Sequence, residues 1–279
     1  MTRYFMAALL ALAILAPGLS SPARACEGAM VTLAPSLTEL AFEAGAGDCL
    51  VGVVAWSDHP AEAGELPEIG DAFQFDLEKI LSLGADTVLA WKGGTPPAAV
   101  RRMEEMGLEA AWIEIRALEE IAPALEAIGR AAGREDRAEA AADSFREGLA
   151  RRLDQRRMHA NPIRVFYQIS PRPLYTFGGR HVVNEMIRAC GGENVFSRMD
   201  QEAFVVDLEA VLAADPEIIL AAEEQGVDDP LTRWREFSGL TAVSEERLER
   251  VDASSLVRPS SGALEGMDKL CRLLDPIRD

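Results

Sequence analysis

The chain has 279 residues and a formal net charge of −18, from 28 Lys and Arg against 46 Asp and Glu. That length suits one large domain or two medium ones, each with its own core. So acidic a surface argues against nucleic-acid binding, which needs basic residues to neutralise phosphates, and it favours docking onto a basic partner.

The segment 1–25 has the pattern of a secretory signal peptide. Arg3 supplies the positive start, an apolar run follows from Ala7 to Ala16, and Ala23-Arg24-Ala25 is a small-x-small cleavage site. The apolar run is too short for a membrane-spanning helix. We therefore expect export, and cleavage would take the formal charge from −18 to −20, because it removes two arginines and no acids.

From residue 30 to about residue 130, short apolar runs alternate with helical stretches. The runs at 30–34, 50–56, 86–91 and 109–115 predict buried strands. Ser36 is predicted to cap the first helix, with Glu39 completing a capping box. Strand–helix alternation of this kind predicts a parallel sheet with helices on both faces.

Residues 134–158 break this alternation with one long, charged helix that has an apolar stripe along one side. We interpret it as a rigid connection and set the boundaries at 26–133 for a first lobe, 134–160 for the connecting helix and 161–279 for a second lobe. A second alternation begins with the apolar run 163–170. The predicted fold class is therefore α/β, with two Rossmann-like lobes whose parallel sheets are joined by one long α-helix.

One segment occurs twice in the chain. FDLEKILSLGADTVLA (75–90) returns in the second half as VDLEAVLAADPEIILA (206–221), and each copy reads as a helix followed by a strand. Glu78 and Glu209 occupy the same position of the two copies, two residues past a capping aspartate, where a carboxylate also stabilises a helix N-terminus. We interpret the duplication as two similar lobes that grip something between them. The two glutamates would then lie on matching outer corners, available to a two-armed basic receptor.

Ligands of open parallel sheets bind beyond the carboxyl ends of the strands. Trp56 and Trp91 each end a predicted strand and precede a polar or glycine-rich loop, so we expect two indoles facing one crevice. Arg258, after the last strand, is the best candidate for a polar contact. The alternative is structural: a tryptophan that caps its lobe's core, and a solvated loop arginine. Other aromatic residues near the same loops predict an aromatic crevice: Phe73, Phe75, Tyr167, Tyr175, Phe177 and Phe204.

Motifs of catalysis are absent from the sequence. It has no Gly-x-Ser-x-Gly elbow, no Gly-x-Gly-x-x-Gly loop and no Walker loop, and its histidines, at positions 59, 159 and 181, lack metal-ligand spacing. We therefore predict no enzymatic activity, no catalytic residue, no metal site and no cofactor. Two alternatives stay open: His59 as an axial ligand to an iron or cobalt macrocycle, and an exported α/β enzyme with Asp58 and His59 as acid and base.

The four cysteines form an even set in a chain expected to be exported, which favours disulfides. Three pairings are open, and the simplest lies within the lobes, Cys26 with Cys49 and Cys190 with Cys271. A zinc site is the rival, but no Cys-x-x-Cys spacing supports it. Lipidation of Cys26 is a further alternative, which Arg24 in the preceding stretch disfavours.

Several segments together resemble the periplasmic solute-binding proteins of bacterial ABC importers, a family that carries siderophores, haem and corrinoids. LAPSLTELAFEAGAG and DLEAVLAADPEIIL are similar to family-wide features, while SDHP, AWKGG and the Cys190/Cys271 pair resemble the cobalamin branch. The resemblance covers nearly all of the chain after the signal. It implies a monomeric periplasmic carrier that binds cobalamin or a related corrinoid and delivers it to an ABC permease dimer in the inner membrane. A haem or ferric-siderophore carrier on the same fold is the alternative.

The resemblance also implies roles for individual residues. Trp56 and Trp91 match aromatic positions that pack on the corrin ring, and Arg258 matches a ligand-contacting arginine. Glu78 and Glu209 match glutamates that dock onto permease arginines. Further ligand contacts are implied at Ser36, Phe73, Ile169 and Phe204.

Three places depart from the family pattern. Ala72 or Phe73 stands where a tryptophan is expected, Ile169-Ser170 where an aromatic–glycine pair is usual, and Ser254 where an aspartate is usual. These departures leave the preferred corrinoid open.

Overall fold

The computed structural model describes residues 26–71, 73–154, 161–223, 229–252 and 256–278. The predicted signal peptide lies outside these ranges, as do Ala72, His159 and Ser254. Within them, no helix is both long enough and apolar enough to cross a membrane.

The first lobe is built on a four-stranded parallel sheet. Its strands are ordered β2-β1-β3-β4, and every pairing among them is parallel. This arrangement confirms the strand–helix alternation that the sequence predicts. In chain order the lobe contains β1 (Met30–Thr32), α1 (Pro35–Glu43), β2 (Leu50–Val53), α2 (Leu77–Ser82), β3 (Thr87–Trp91), α3 (Pro97–Glu105), β4 (Glu109–Ile113) and α4 (Ile121–Ala132).

The start of α1 differs from the sequence prediction. The helix begins at Pro35, Ala34 precedes it, and no side chain caps it. Proline suits a first turn because the N–H that it lacks would have no helical partner there. Ser36 is buried inside this turn, and Glu39 pairs instead with Arg258 of the second lobe. The predicted capping box is therefore wrong.

The long helix α5 (Glu135–Asp154) joins the two lobes. Its 20 residues span about 30 Å at 1.5 Å per residue. Ala138 packs so tightly on Gly129 of α4 that a Cβ at that glycine would clash. At the other end, Arg152 pairs with Asp268 of the last helix at 2.7 Å. The prediction of a long connecting helix is confirmed as far as Asp154. The rest of the predicted segment, up to residue 160, lies outside the described residues.

The second lobe is built on a mixed sheet. Its described strands are ordered β10-β9-β5-β6-β8, and β7 also pairs with β5. In chain order the lobe contains β5 (Ile163–Pro171), β6 (Leu174–Phe177), α6 (Val183–Ala189), β7 (Gly192–Asn194), β8 (Ala203–Val205), α7 (Leu208–Ala214), β9 (Ile218–Ala222), α8 (Thr241–Ser244), β10 (Leu248–Val251) and α9 (Ala263–Arg278).

One edge of this second sheet corrects the prediction of parallel strands. β7, β9 and β10 join by parallel pairing, whereas β6 and β8 pair antiparallel. Only Arg172 and Pro173 separate β5 from β6. So short a connection allows a hairpin but not the crossover that a parallel pair needs.

The duplicated segment forms the same unit in both lobes. α2 leads into β3 in the first lobe, and α7 leads into β9 in the second. Leu77 and Leu208 start the two helices, and Thr87 and Ile218 start the two strands, so helix and strand are displaced along the chain by the same amount. The predicted helix-then-strand repeat is confirmed.

Each lobe has one disulfide. Cys26 is bonded to Cys49 and Cys190 to Cys271, with Cα–Cα distances of 5.6 and 4.7 Å. The first bond fixes the segment before β1 to the start of β2, and the second fixes the end of α6 to α9. The within-lobe pairing is confirmed. It leaves no cysteine thiol for zinc or for a lipid on Cys26.

Candidate functional site

A crevice of about 200 Å³ lies between the two lobes. The first lobe contributes the segments that follow β3 and β4, and the second contributes those around the β6–β8 edge. Because β3 and β4 are parallel neighbours, their carboxyl ends meet at one edge of the sheet, where ligands of such folds bind. The principal lining side chains are Trp91, Lys92 and Arg116 from the first lobe, and Arg180, His181 and Glu202 from the second.

Trp91 is the aromatic side chain of the crevice wall. It ends β3, and its backbone N–H donates to Oγ1 of Thr95 at 2.9 Å. Gly93 and Gly94 wrap around the indole so closely that a Cβ at either position would come within 3.0 Å of the ring. The glycines are therefore required by the position of the indole.

Trp56 lies three residues past the end of β2, and it is 66 % exposed. Its φ of 67° is left-handed, which is uncommon for a residue other than glycine. The carbonyl oxygen of Trp56 accepts a hydrogen bond from Nη2 of Arg258 at 3.3 Å, so this segment lies at the boundary with the second lobe. The alternative that Trp56 caps the core of its lobe is wrong.

The remaining aromatic candidates are divided between surface and core. Phe73 is highly exposed. Tyr167 and Phe177 are buried in the second lobe with ring centroids 5.2 Å apart, because both faces of β5 are covered. Phe204 and Ile169 are half-buried and pack on the cores of the same lobe. None of the six aromatic residues predicted near these loops is among the described lining residues, which include five charged side chains and the Trp91 indole.

Arg258 forms ion pairs across the lobe boundary. Its Nη1 lies 2.8 Å from Glu39 of α1 and 3.0 Å from Asp58, and 20 % of its side chain is exposed. Burial opposes the charge of Arg258, but the two carboxylates outweigh it and raise the guanidinium pKa. Burial likewise acts against Asp58, yet hydrogen bonds from Arg258 and His59 hold the pKa of that carboxyl below its usual range. A carboxyl whose pKa is lowered is a weaker proton acceptor, which counts against Asp58 as a general base.

A second contact extends the same boundary. The backbone N–H and Oγ of Ser261 both donate to the Glu43 carboxylate, at 3.2 and 2.5 Å. Burial raises the pKa of Glu43, although these hydrogen bonds work in the opposite direction. We call these contacts, Arg258 with Glu39 and Asp58 and Ser261 with Glu43, the inter-lobe clasp. They fix the loop before α9 onto α1 of the first lobe.

His181 is buried in the second-lobe wall of the crevice. Its Nδ1 accepts the backbone N–H of Val183 at 3.1 Å, and its ring stacks on Phe177 at 3.9 Å. Burial lowers the pKa of His181 to about 4, against the effect of a hydrogen bond with the backbone of Val257, so the ring is neutral at pH 7. Because the backbone engages its ring nitrogens, His181 is not placed to ligate a metal. His59 is exposed, and its Nδ1 lies 3.2 Å from the preceding aspartate.

Glu78 and Glu209 are exposed in the first turns of α2 and α7. The Asp76 carboxylate caps α2 by accepting the backbone N–H of Lys79 at 2.9 Å. Asp207 precedes α7 without such a bond, so the predicted cap is present in one copy and absent from the other. Both glutamates thus face solvent at equivalent positions of the duplicated unit.

Comparison of the sequence with known proteins identifies its relatives. Residues 30–254 match the Periplasmic binding protein family. The chain belongs to this family. The Vitamin B12-binding protein of Vibrio cholerae serotype O1 is 32% identical over 248 residues, which are 88% of each chain. The Vitamin B12-binding protein of Yersinia pestis is 33% identical over 217 residues, 77% of each chain.

Solved structures have the same architecture. The crystal structure of the periplasmic vitamin B12 binding protein of Vibrio cholerae matches with a TM-score of 0.81 at 31% identity, covering 91% of this chain and 98% of that one. The periplasmic heme-binding protein from Roseiflexus sp. RS-1 gives 0.79 at 24% identity, covering 88% and 97%. The second likeness shows the fold alone. The resemblance found in the sequence is thus confirmed at the level of family and fold.

Sequence reasoning missed the clasp and most of the charged lining. Lys92 directly follows β3, and Arg116 lies three residues past the end of β4. The rule that ligands bind beyond strand ends, which located Trp91, therefore also applies to Arg116. Arg180 and Glu202 flank β6 and β8, and their position depends on the antiparallel edge that the sequence did not predict. Glu39 and Glu43 are one helical turn apart on α1, which is the only signal that they share a face.

Proposed function

We propose that this protein captures cobalamin, or a closely related corrinoid, in the periplasm and delivers it to the permease of an ABC importer. The observation that carries the proposal is an inter-lobe crevice with the Trp91 indole in its wall and the exposed Trp56 indole at the lobe boundary. Flat, amphipathic rings of this kind suit a large planar ligand. The relatives named for vitamin B12 binding support the choice of macrocycle.

Phe73 extends this aromatic surface. The loop that carries it is hydrogen-bonded to the Trp56 segment, since the Ala55 N–H donates to the Gly70 carbonyl at 2.8 Å. Trp56 and Phe73 therefore lie on hydrogen-bonded segments of the first lobe, and both side chains are exposed. A macrocycle resting there would remove two large aromatic side chains from water.

The size of the crevice indicates how the ligand binds. Its volume of about 200 Å³ is below the roughly 300–1,000 Å³ of typical ligand pockets, and a corrinoid exceeds it. The ligand therefore lies across the mouth, with only part of it between the lobes. Binding is accompanied by a small rotation of the lobes, 26–133 and 161–279, about the connecting segment 134–160.

Ligand titration tests the proposal. Purified protein is titrated with cyanocobalamin, hemin and a ferric siderophore, with tryptophan fluorescence and calorimetry as readouts. We expect saturable cyanocobalamin binding that Trp56→Ala and Trp91→Ala each weaken about tenfold, which corresponds to about 1.4 kcal/mol. Trp112→Phe, within β4, is the control and keeps wild-type affinity. Tight hemin or siderophore binding without a corrinoid response would instead establish the alternative carrier.

We infer that Glu78 and Glu209 contact the permease, with the carrier acting as a monomer. Support comes from their exposure, their equivalence in the duplicated unit and the acidic charge of the chain. The variant Glu78→Ala with Glu209→Ala should keep its cyanocobalamin affinity while permease binding and uptake fall. Glu104→Ala with Glu139→Ala makes the same change in charge at exposed positions of α3 and α5 and serves as the control. Wild-type uptake by the first variant would reduce the two glutamates to stabilisers of helix ends.

A further inference from the structure

Three cationic side chains line the crevice and have no part in the proposed aromatic contacts. Lys92 and Arg116 share one carboxylate, Glu114: Nζ of Lys92 lies 3.2 Å from its Oε2, and Arg116 pairs with its Oε1. Arg180 reaches the crevice from the second lobe and pairs with Asp200 at 2.9 Å. All three side chains are more than half exposed, so they are accessible to a ligand that enters between the lobes.

The charge of the crevice lining is opposite to that of the whole chain. Among the described lining residues three are cationic, and two, Glu114 and Glu202, are acidic, whereas the chain has 28 bases against 46 acids. The buried neighbour His181 adds no charge at pH 7. Burial raises the pKa of Glu202, and Arg116 opposes that shift from the other lobe, so Arg116 acts across the crevice. The crevice is therefore a place where an anion can approach this acidic protein.

Arg116 and Arg180 have the chemistry to bind an oxyanion from two sides. A guanidinium has five N–H donors and an ammonium has three, so one ion pair leaves each cation with donors to spare. The planar fork of arginine binds phosphate oxygens in pairs. One arginine belongs to each lobe, and an oxyanion held between them would connect the lobes.

We propose that Arg116 and Arg180, assisted by Lys92, bind the phosphodiester of the nucleotide tail of cobalamin, and so favour complete cobalamin over corrinoids without a tail. This inference rests on the proposed function. The side chains of the corrin ring end in neutral amides, so the phosphodiester is the anionic group that the cations would recognise. The propionates of haem offer a similar oxyanion, and the experiment separates the two sources.

The test compares two corrinoids that differ in this group. Affinities for cyanocobalamin and for dicyanocobinamide, which lacks the phosphodiester and the nucleotide, are measured for wild type, Arg116→Gln, Arg180→Gln and the double variant. We expect each single variant to bind cyanocobalamin about three- to tenfold more weakly, as for other partly exposed charge-assisted contacts. Dicyanocobinamide affinity should stay within about twofold. Arg250→Gln is the matched control, because Arg250 is similarly exposed and also forms an ion pair, with Glu223. It lies on β10, at the opposite edge of the sheet from β8.

Salt gives a second readout that needs no variant. Raising NaCl from about 50 to about 500 mM should weaken wild-type binding of cyanocobalamin and leave that of dicyanocobinamide unchanged, because screening acts on the charged contact. Equal losses for both corrinoids, or no loss for either, would overturn the phosphodiester contact while leaving corrinoid carriage intact. Failure of the wild type to bind either corrinoid would overturn the proposed function itself. Hemin binding that depends on the two arginines, without corrinoid binding, would overturn both and assign the cations to haem carboxylates.

Discussion

In the inter-lobe clasp, Arg258 forms one ion pair with Glu39 and one with Asp58. We expect these two ion pairs to differ in strength because the two carboxylates differ in burial. Arg258 lies at similar distances from both carboxylates, but the Glu39 side chain is 13% exposed and that of Asp58 is 62% exposed. Breaking a fully buried pair from one side costs about 3–5 kcal/mol, and an exposed pair contributes about 0–1 kcal/mol. Since a fifth of Arg258 is exposed, we expect Glu39→Gln to lower the free energy of unfolding by about 2 kcal/mol. Asp58→Asn should lower it by less than about 1 kcal/mol.

Urea unfolding measures this difference. Circular dichroism and tryptophan fluorescence should give coincident transitions, a necessary check for a protein of two lobes. A loss of about 2 kcal/mol corresponds to a fall in Tm of about 4–8 °C for a chain of this size. A double-mutant cycle with Arg258→Gln should give about 1.5 kcal/mol of coupling to Glu39 and less than about 0.5 kcal/mol to Asp58. Equal losses for the two acid variants, or no coupling to Glu39, would refute the argument that burial sets the strength of the clasp.

Two further predictions concern the second disulfide and the loop around Trp91. Cys190→Ala with Cys271→Ala opens a loop of 81 residues, and we expect a loss of about 4.5 kcal/mol in urea unfolding from the chain-entropy relation. A loss below about 1 kcal/mol would mean that loop closure contributes little. Gly93→Ala places a methyl group against the Trp91 indole, so cyanocobalamin affinity should fall in a fluorescence titration. Gly64→Ala is the control, because a Cβ there meets nothing within 4 Å, and equal affinities for the two variants would contradict the placing of Trp91 at the ligand.

The first lobe was predictable because its strands and helices alternate and each has a local signal. The edge formed by β6 and β8 was not, since its antiparallel pairing joins residues such as Tyr175 and Val205, which are far apart in the chain and carry no local signal of each other. The predicted ends of strands indicated Trp56 and Trp91 as site candidates. How exposed each indole is, and what it contacts, depends on tertiary packing and could not be predicted.

The clasp shows most clearly where local reasoning stops. Glu39 and Arg258 are 219 residues apart, and nothing near either residue indicates the other. Glu39 also fits a local motif, the capping box, but in the structure its carboxylate forms the ion pair with Arg258 of the second lobe and no side chain caps α1. A buried charge is satisfied by the strongest partner that the fold supplies, which the neighbouring sequence does not reveal.

The constant spacing between the two copies of the repeat shows which positions of the two lobes correspond. It aligns Glu78 with Glu209, but it aligns Trp91 at the end of β3 with Ala222 at the end of β9. The second lobe thus has an equivalent of the Glu78 carboxylate but no equivalent of the Trp91 indole. The duplication supplies a matched pair of outer carboxylates, while the two lobes present unlike walls to the crevice between them.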